Sequence, residues 1–441
     1  MSKKTGKQPT LKSIEKDCSS IGLEKHDQIL IVTSPTPAAM LASAILSRSM
    51  IDSGKKFHIT FSEPVVPVNK VNELRQKYNS LALLLVGIDT IGAARIKKGS
   101  SYPIMIGGTT ESEQGEIPSL GTNLTLTAVA YSIASSLGKG SEYDSQLAVG
   151  GALLNKDSEK GTKGANNELI EMAKSSKIIQ ERKGFRLFGV SMLPLDEVFL
   201  YSTYPYLKKL SGDRKACDSL LNEAEIPVPK LRMPLTKLTT SEAQRLTSKL
   251  VPQLDPSILP QLLGTDFEFL KERESSPFRH LSGLEIMGAT AWTINELGAF
   301  MSVLLGDRGR ALRLLNESHM SHHKDVISAV NRLKAGLMSE STTSATTLKI
   351  SGYRTDLLPD IGRVFIETGL VDSTRPVVLD HDGVSVVAWP SQNLNMKDVS
   401  QRLLREKIDL RITSQQSLEI QNDPQVKEKT LRTIVALNKE S

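Results

Sequence analysis

The sequence predicts an α/β fold: a doubly wound parallel sheet, then a mainly helical region, then a smaller α+β domain at the C-terminus. Three observations predict it. From Asp27 to Leu154, short apolar runs alternate with segments of helical spacing, the pattern of strands joined by crossover helices. Residues 81–87 (LALLLVG) are almost continuously apolar, as a central strand covered on both faces must be. Between residues 205 and 234 the turn residues Pro205, Gly212, Pro227 and Pro229 mark a change of organisation, after which helical spacing dominates.

Taken in order, residues 1–26 read as a basic flexible tail carrying Lys3, Lys4, Lys7 and Lys12. Four apolar residues, Ile29 to Val32, give a short buried strand. A loop of Ser, Thr, Pro and Ala follows, and from Met40 a helix begins whose small residues allow close packing. Such a junction is where α/β enzymes hold phosphate or metal, because it follows the carboxyl end of a strand and opens a helix N-terminus. This loop has neither the glycines that cradle phosphate nor the carboxylates that hold metal.

Residues 56–61 (KFHITF) read as a second strand, 70–78 as a helix, 102–106 as a strand and 122–137 as a helix rich in small residues. Residues 146–154, with a Gly pair, read as a helix or a strand. A helix is expected over 166–183 and the last strand of the sheet over 185–193. Residues 241–334 read mainly as helices broken by prolines, with Leu297, Phe300, Met301, Leu304 and Leu305 on a core face. The Ser/Thr-rich stretch 339–347 reads as a linker. Two β-rich runs, 377–379 and 384–389, are joined by Asp380-His381-Asp382-Gly383, a hairpin signal. Residues 396–407 and 426–438 read as helices. No internal repeat is present.

A chain of 441 residues with 39% hydrophobic and 24% charged residues has a globular composition and length for two or three domains. No stretch is apolar enough to span a bilayer and the first residues lack the apolar core of a signal peptide, so a cytoplasmic protein is expected. Two cysteines, Cys18 and Cys217, argue against a disulfide framework and a Cys-based zinc site. The net charge of +6 is compatible with nucleic acid without requiring it.

Few residues offer chemistry. His319 and His323, four apart with His322 beside them, place two imidazoles on one helix face as candidate metal ligands, but no Glu sits between them, and an exposed helix end is the simpler account. Asp380, His381 and Asp382 resemble a metal cluster yet read better as a turn. Asp89 follows residues 81–87 directly, which puts a carboxylate at the sheet's carboxyl edge; alone it cannot make a two-metal site. Arg308, Arg310 and Arg313 (GDRGRALRLL) are either phosphate contacts from a loop and helix start or ordinary exposed cations. No P-loop, GxGxxG or GxSxG spacing occurs.

The order of these segments, with YPYLKKLSGDRKACDSLLNEAEIPV and WTINELGAFMSVLLGDRGRALRLL, resembles the RecJ branch of the DHH phosphoesterase superfamily over residues 28–407, in particular the archaeal RecJ-like proteins that associate with GINS. The resemblance implies a DHH domain over 27–204, a helical connecting region over 205–340 and a DHHA1-like domain over 341–441. Active members bind two divalent ions, usually manganese, through clustered Asp and His residues. On this chain Ser34 stands for the first motif's His, and Thr36 and Ala38 for its two Asp residues. Asp89 is kept. Gly107, Gly108 and Thr109 stand for Asp-His-His, and Asn155 for a final Asp. The glycine-rich GGH-type stretch is replaced by IDLRITSQQSLEIQ.

One carboxylate is too few for the metals. The resemblance therefore implies a catalytically inactive scaffold without a cofactor, similar to the eukaryotic helicase activator that joins MCM and GINS. GINS and MCM are the expected partners and single-stranded DNA a further candidate. The alternative is a manganese- or magnesium-dependent 5′-3′ single-strand exonuclease or phosphodiesterase with an altered site.

Overall fold

The computed structural model describes residues 10–19, 23–78, 82–92, 103–108, 119–120, 125–154, 164–335, 339–341, 345–390 and 394–440. Their contacts divide the chain into two units, Met1–Ile179 with Leu297–Leu312, and Gln180–Glu296 with Arg313–Ser441.

The first unit opens with α1 (Leu11–Ser19) and is built on a parallel sheet. Its strands are β1 (Gln28–Thr33), β2 (Lys56–Phe61), β4 (Ala82–Val86), β6 (Ile104–Ile106) and β7 (Ser119–Leu120), in the order β2-β1-β4-β6-β7, every pair parallel. Strand β4 is central, as its apolar run requires: Leu84 lies opposite Ile31 of β1 on one side and Ile104 of β6 on the other. Fully burying such a side chain contributes about 1.5–3 kcal/mol, so three adjacent apolar strands fix this sheet. A two-stranded parallel pair, β3 (Val65–Pro67) with β5 (Asp89–Ile91), flanks α3 (Val68–Lys77).

Helix α2 (Pro37–Asp52) has Pro37 in its first turn, where the missing N–H costs nothing. It is buried nearly all round, and its Ala and Ser residues let α4 (Leu126–Ser136) and α5 (Glu142–Leu154) pack closely. Residues 146–154 are therefore helix. The Gly pair serves packing: a Cβ on Gly151 would fall 2.2 Å from the Thr127 methyl, and the Thr127 hydroxyl donates to the Ala148 carbonyl at 2.9 Å. Arg48 of α2 reaches the fully buried Asp144 carboxylate at 2.7 Å, which also accepts from the Ser141 N–H at 3.0 Å and hydroxyl at 2.5 Å.

Helix α6 (Ala165–Ser175) is shorter than expected, and Lys177 then takes a φ of 53°. Residues 179–185 form strand β8 (Ile179–Phe185), which corrects both the helix expected to 183 and the strand expected over 185–193. The physical reason is its polar centre, QERKG, which lacks an apolar stripe at helical spacing and is half exposed as an edge strand can be. It pairs with β9 (Leu263–Phe269), a strand inside the region expected to be helical, and not with the parallel sheet.

In the second unit α7 (Leu195–Leu200), α8 (Arg214–Glu223), α9 (Thr240–Leu250) and α10 (Leu259–Leu262) close one core, where Phe185 and Phe199 meet edge to face at 5.8 Å. Helix α11 (Leu281–Thr293) follows. Helix α12 (Leu297–Leu304) belongs to the first unit and buries Leu297, Phe300, Met301 and Leu304, as its spacing predicts, with Leu305 half-buried. Helix α13 (Arg310–Ala335) leads to a six-stranded sheet ordered β10-β11-β12-β13-β15-β14. Its strands are β10 (Ser339–Ser341), β11 (Thr346–Lys349), β12 (Val377–His381), β13 (Val384–Ala388), β14 (Leu410–Ser414) and β15 (Ser417–Gln421).

Residues 339–341 and 346–349 are strands, correcting the linker expected there; β-branched Thr346 and Thr347 suit a pleated ladder. The β12–β13 hairpin has the expected turn, with His381 opposite Val384 and Gly383 at φ 85°. Helix α14 (Leu358–Glu367) packs on β12 and β13, and α15 (Met396–Arg405) and α16 (Pro424–Glu440) are the two expected C-terminal helices.

Candidate functional site

The carboxyl edge of the parallel sheet is where an α/β fold places its ligand. β1 delivers Ser34, Thr36 and Ala38 there because the apolar strand ends at Thr33 and Pro37 starts α2. The ladder continues past the strands: the Ser34 N–H donates to the Val86 carbonyl at 3.0 Å, and the Gly87 N–H to the Ile106 carbonyl at 3.0 Å. Ser34 is fully buried, and its hydroxyl bonds that of Thr36 at 2.9 Å. Gly87, at φ 66°, lies so close that a Cβ would fall 2.9 Å from the Ser34 hydroxyl and 2.8 Å from the Ala39 methyl.

From β6 come Gly107 and Gly108. Gly107 has φ 65°, and a Cβ there would fall 2.1 Å from a methyl of Leu126. A Cβ on Gly108 would fall 2.0 Å from the Ile88 carbonyl oxygen. Asp89 follows Ile88, is 2% exposed, and its N–H donates to the Pro64 carbonyl at 2.8 Å. The structure thus brings Ser34, Thr36, Ala38, Asp89, Gly107 and Gly108 to one edge formed by β1, β4, β5 and β6. Thr109 and Asn155 lie outside the described residues.

Manganese held as in the active superfamily members does not fit this edge. Two serine and threonine hydroxyls bonded to each other, an alanine and two glycines offer one carboxylate where a divalent pair needs several anionic oxygens or imidazoles. The glycines are also structural requirements: a side chain at 107 or 108 collides with Leu126 or with backbone. Among the described residues no group of three His, Cys, Asp or Glu side chains could hold a metal ion.

The arginines separate. Arg308 donates to the Val303 carbonyl and, at 2.8 Å, to the Tyr143 hydroxyl, and its guanidinium lies 5.6 Å from that ring. Arg310 and Arg313, in the first turn of α13, are exposed.

The three histidines require a correction. His319, His322 and His323 are not on an exposed helix end; they lie inside the 26-residue α13 and are 1–3% exposed. Segments distant in sequence cover them. His322 Nε2 lies 2.7 Å from the Asp360 carboxylate of α14, which also accepts from the Tyr204 hydroxyl at 2.5 Å and from Arg363 at 3.0 Å. Arg363 bonds Glu367 at 2.7 Å and lies 3.5 Å over the Tyr204 ring. The ring nitrogens of His323 meet the Thr203 hydroxyl and, at 3.1 Å, that of Thr290. His319 stacks between Phe188, at 4.0 Å, and His323, at 4.1 Å.

Burial, reinforced by the neighbouring imidazoles, holds His319 well below the usual histidine range and His323 down to about 3, so both are neutral. Burial alone would raise the Asp360 carboxyl, but the His322 hydrogen bond and the Arg363 charge pull it far below the carboxylate range. The adjoining cavity, lined by Thr203, His319 and His323, is about 10 Å³, room for about one water. These groups are buried, and the network fastens α13 to α14 and to residues 203–204. Sequence reasoning missed it; the signals were the aromatic pair in residues 203–206 (TYPY) and the Asp and Arg three apart in residues 359–363 (PDIGR).

No protein-family model matches the sequence, and no curated protein matches it. Among solved structures, CDC45 from Entamoeba histolytica superposes with a TM-score of 0.65 at 11% identity, over 96% of this chain and 98% of that one. RecJ from Thermus thermophilus, in complex with Mn2+, gives a TM-score of 0.48 at 11% identity and covers 97% of this chain and 55% of that one. The chain has the fold of CDC45 over nearly its whole length, and the α/β fold with a parallel sheet expected from its sequence is the one it adopts.

Proposed function

We propose that the chain is a catalytically inactive RecJ-like scaffold subunit of an archaeal-type DNA replication complex, binding GINS and the MCM helicase, with single-stranded DNA as a further ligand. The observation that carries the reading is the glycine pair at the sheet edge. On the resemblance drawn from the sequence, Gly107 and Gly108 stand for two residues of the superfamily's naming motif, and the packing around them leaves no room for a side chain. An edge that has lost its ligands yet keeps a fully packed fold has a use other than hydrolysis. The end-to-end likeness to CDC45, with no large part of either chain left over, supports a role carried by surface. Purifying the tagged protein from its native cells tests this: GINS and MCM subunits are expected to come with it, and the absence of both overturns the partner assignment.

One observation favours the exonuclease reading, the retention of Asp89 at the carboxyl edge. Digestion of a 5′-labelled single strand with manganese, set against an Asp89→Ala control, decides between the two. No digestion is expected; activity that disappears in the control establishes the enzyme.

A further inference from the structure

The second unit carries a concave surface whose charge nothing in the fold explains. It is lined by Lys208, Lys209, Arg214, Lys215, Asp213 and Asn331, together with the backbone of residues 211–212, and encloses about 600 Å³. Four cations come from eight consecutive residues, and one carboxylate accompanies them. Asp213 is occupied as the N-cap of α8, accepting from the Ala216 N–H at 3.0 Å. Arg214 is committed in part to Asp196 at 2.5 Å. Lys208, Lys209 and Lys215 are exposed, and among the described residues no ion pair takes their ammonium groups. The local fold holds them together: Gly212 turns at φ 81°, its N–H donates to the Leu200 carbonyl at 2.8 Å, and a Cβ there would fall 2.5 Å from Asn331.

Like charges crowded on a short, rigid segment repel one another, and the arrangement costs stability unless an anion answers it. Lys334 adds to the field; burial and the nearby Lys208 both lower its ammonium. The lining contains no apolar side chain, so an acidic protein segment would find charge but none of the buried anchors that dominate protein interfaces. It contains no aromatic ring either, so bases would find no stacking platform. Phosphate groups need neither, because multiply charged oxyanions are held by point charges and N–H donors alone.

We propose that this pocket binds phosphate groups, whether those of a nucleic-acid backbone or of a free nucleoside triphosphate. The contacts are independent of base sequence, with Lys208, Lys209 and Lys215 as the binding residues. The inference rests on the single-stranded DNA part of the proposed function and survives failure of its GINS and MCM part.

The test is fluorescence anisotropy of the full-length protein with a labelled oligothymidylate across a salt series, comparing wild type, the triple variant Lys208→Gln/Lys209→Gln/Lys215→Gln, and Arg310→Gln/Arg313→Gln. These side chains are exposed, so folding is not at stake; circular dichroism checks it. The triple variant is expected to bind at least tenfold more weakly in low salt, with the log–log salt slope reduced by about 2, roughly 0.7 per lost phosphate contact. The Arg310/Arg313 variant is expected to match wild type. Competition by ATP at equal charge assigns the pocket to free polyphosphate, and its failure to compete assigns it to the phosphodiester chain. Absence of oligonucleotide binding together with absence of ATP binding, equal binding by the triple variant, or stronger displacement by poly-glutamate than by unlabelled oligonucleotide overturns the proposal.

Discussion

Gly108 is a packing element of the sheet edge. Its Cα faces the Ile88 carbonyl so closely that even a methyl group would fall 2.0 Å from the oxygen. Gly108→His, which would reinstate an imidazole at that position, is therefore expected to destabilise the protein by roughly 3 kcal/mol without creating a metal site, read by urea unfolding and manganese titration of the same sample. Arg48 is the second informative residue. Its partner Asp144 is fully buried, and removing the guanidinium strands a charge where water cannot reach it. Arg48→Met is expected to cost about 3 kcal/mol in urea unfolding, well above the ~1 kcal/mol typical of exposed pairs. The placement of Ser34, Thr36 and Ala38 between β1 and the first turn of α2 was legible in the sequence, because their loop is bracketed by an apolar strand and a helix. The Arg48–Asp144 pair was not, since it joins residues 96 positions apart on helices whose relative placement no local pattern encodes.

Among the elements, the parallel strands β1 and β4 were readable because burial on both faces writes itself as an apolar run, whereas the short β3, β5 and β7 carry no such signal. Strand β8 and the short strands at 339–341 and 346–349 were not, because they are polar and take their conformation from a partner strand. Helix α13 was correctly expected to be helical, but its histidines were misplaced on the surface. Its covering groups, Thr203 and Asp360, lie 120 and 38 residues away from the histidines they meet.

That burial has a pH signature. His319 and His323 are neutral in the folded protein and take up protons in the unfolded chain below about pH 6.5, so the unfolded state gains protons as pH falls and the fold loses stability. Between pH 7 and pH 5 the loss from His323 is expected to be on the order of 2 kcal/mol, and His319 adds a loss of the same sign. Asp360, with its carboxyl held low, adds a loss of the same sign only below the ordinary carboxylate range. Urea midpoints that fall across this window, and fall less in His319→Phe, would bear this out; midpoints independent of pH would contradict it.

At the scale of the whole molecule, a chain of 441 residues keeps the end-to-end fold of CDC45 at 11% identity. Such likeness can persist because a fold is fixed by burial pattern and packing, which many sequences satisfy, whereas a metal site is fixed by a handful of side chains. Here the sheet edge offers Ser34, Thr36, Ala38, Asp89, Gly107 and Gly108, with one carboxylate among them. The sheet edge is expected to hold no divalent metal. The direct measurement is calorimetric titration of the full-length protein with manganese, alongside Asp89→Asn. Binding no tighter than millimolar, identical in the two proteins, is the predicted result; a micromolar site present in the wild type and abolished by Asp89→Asn would contradict it.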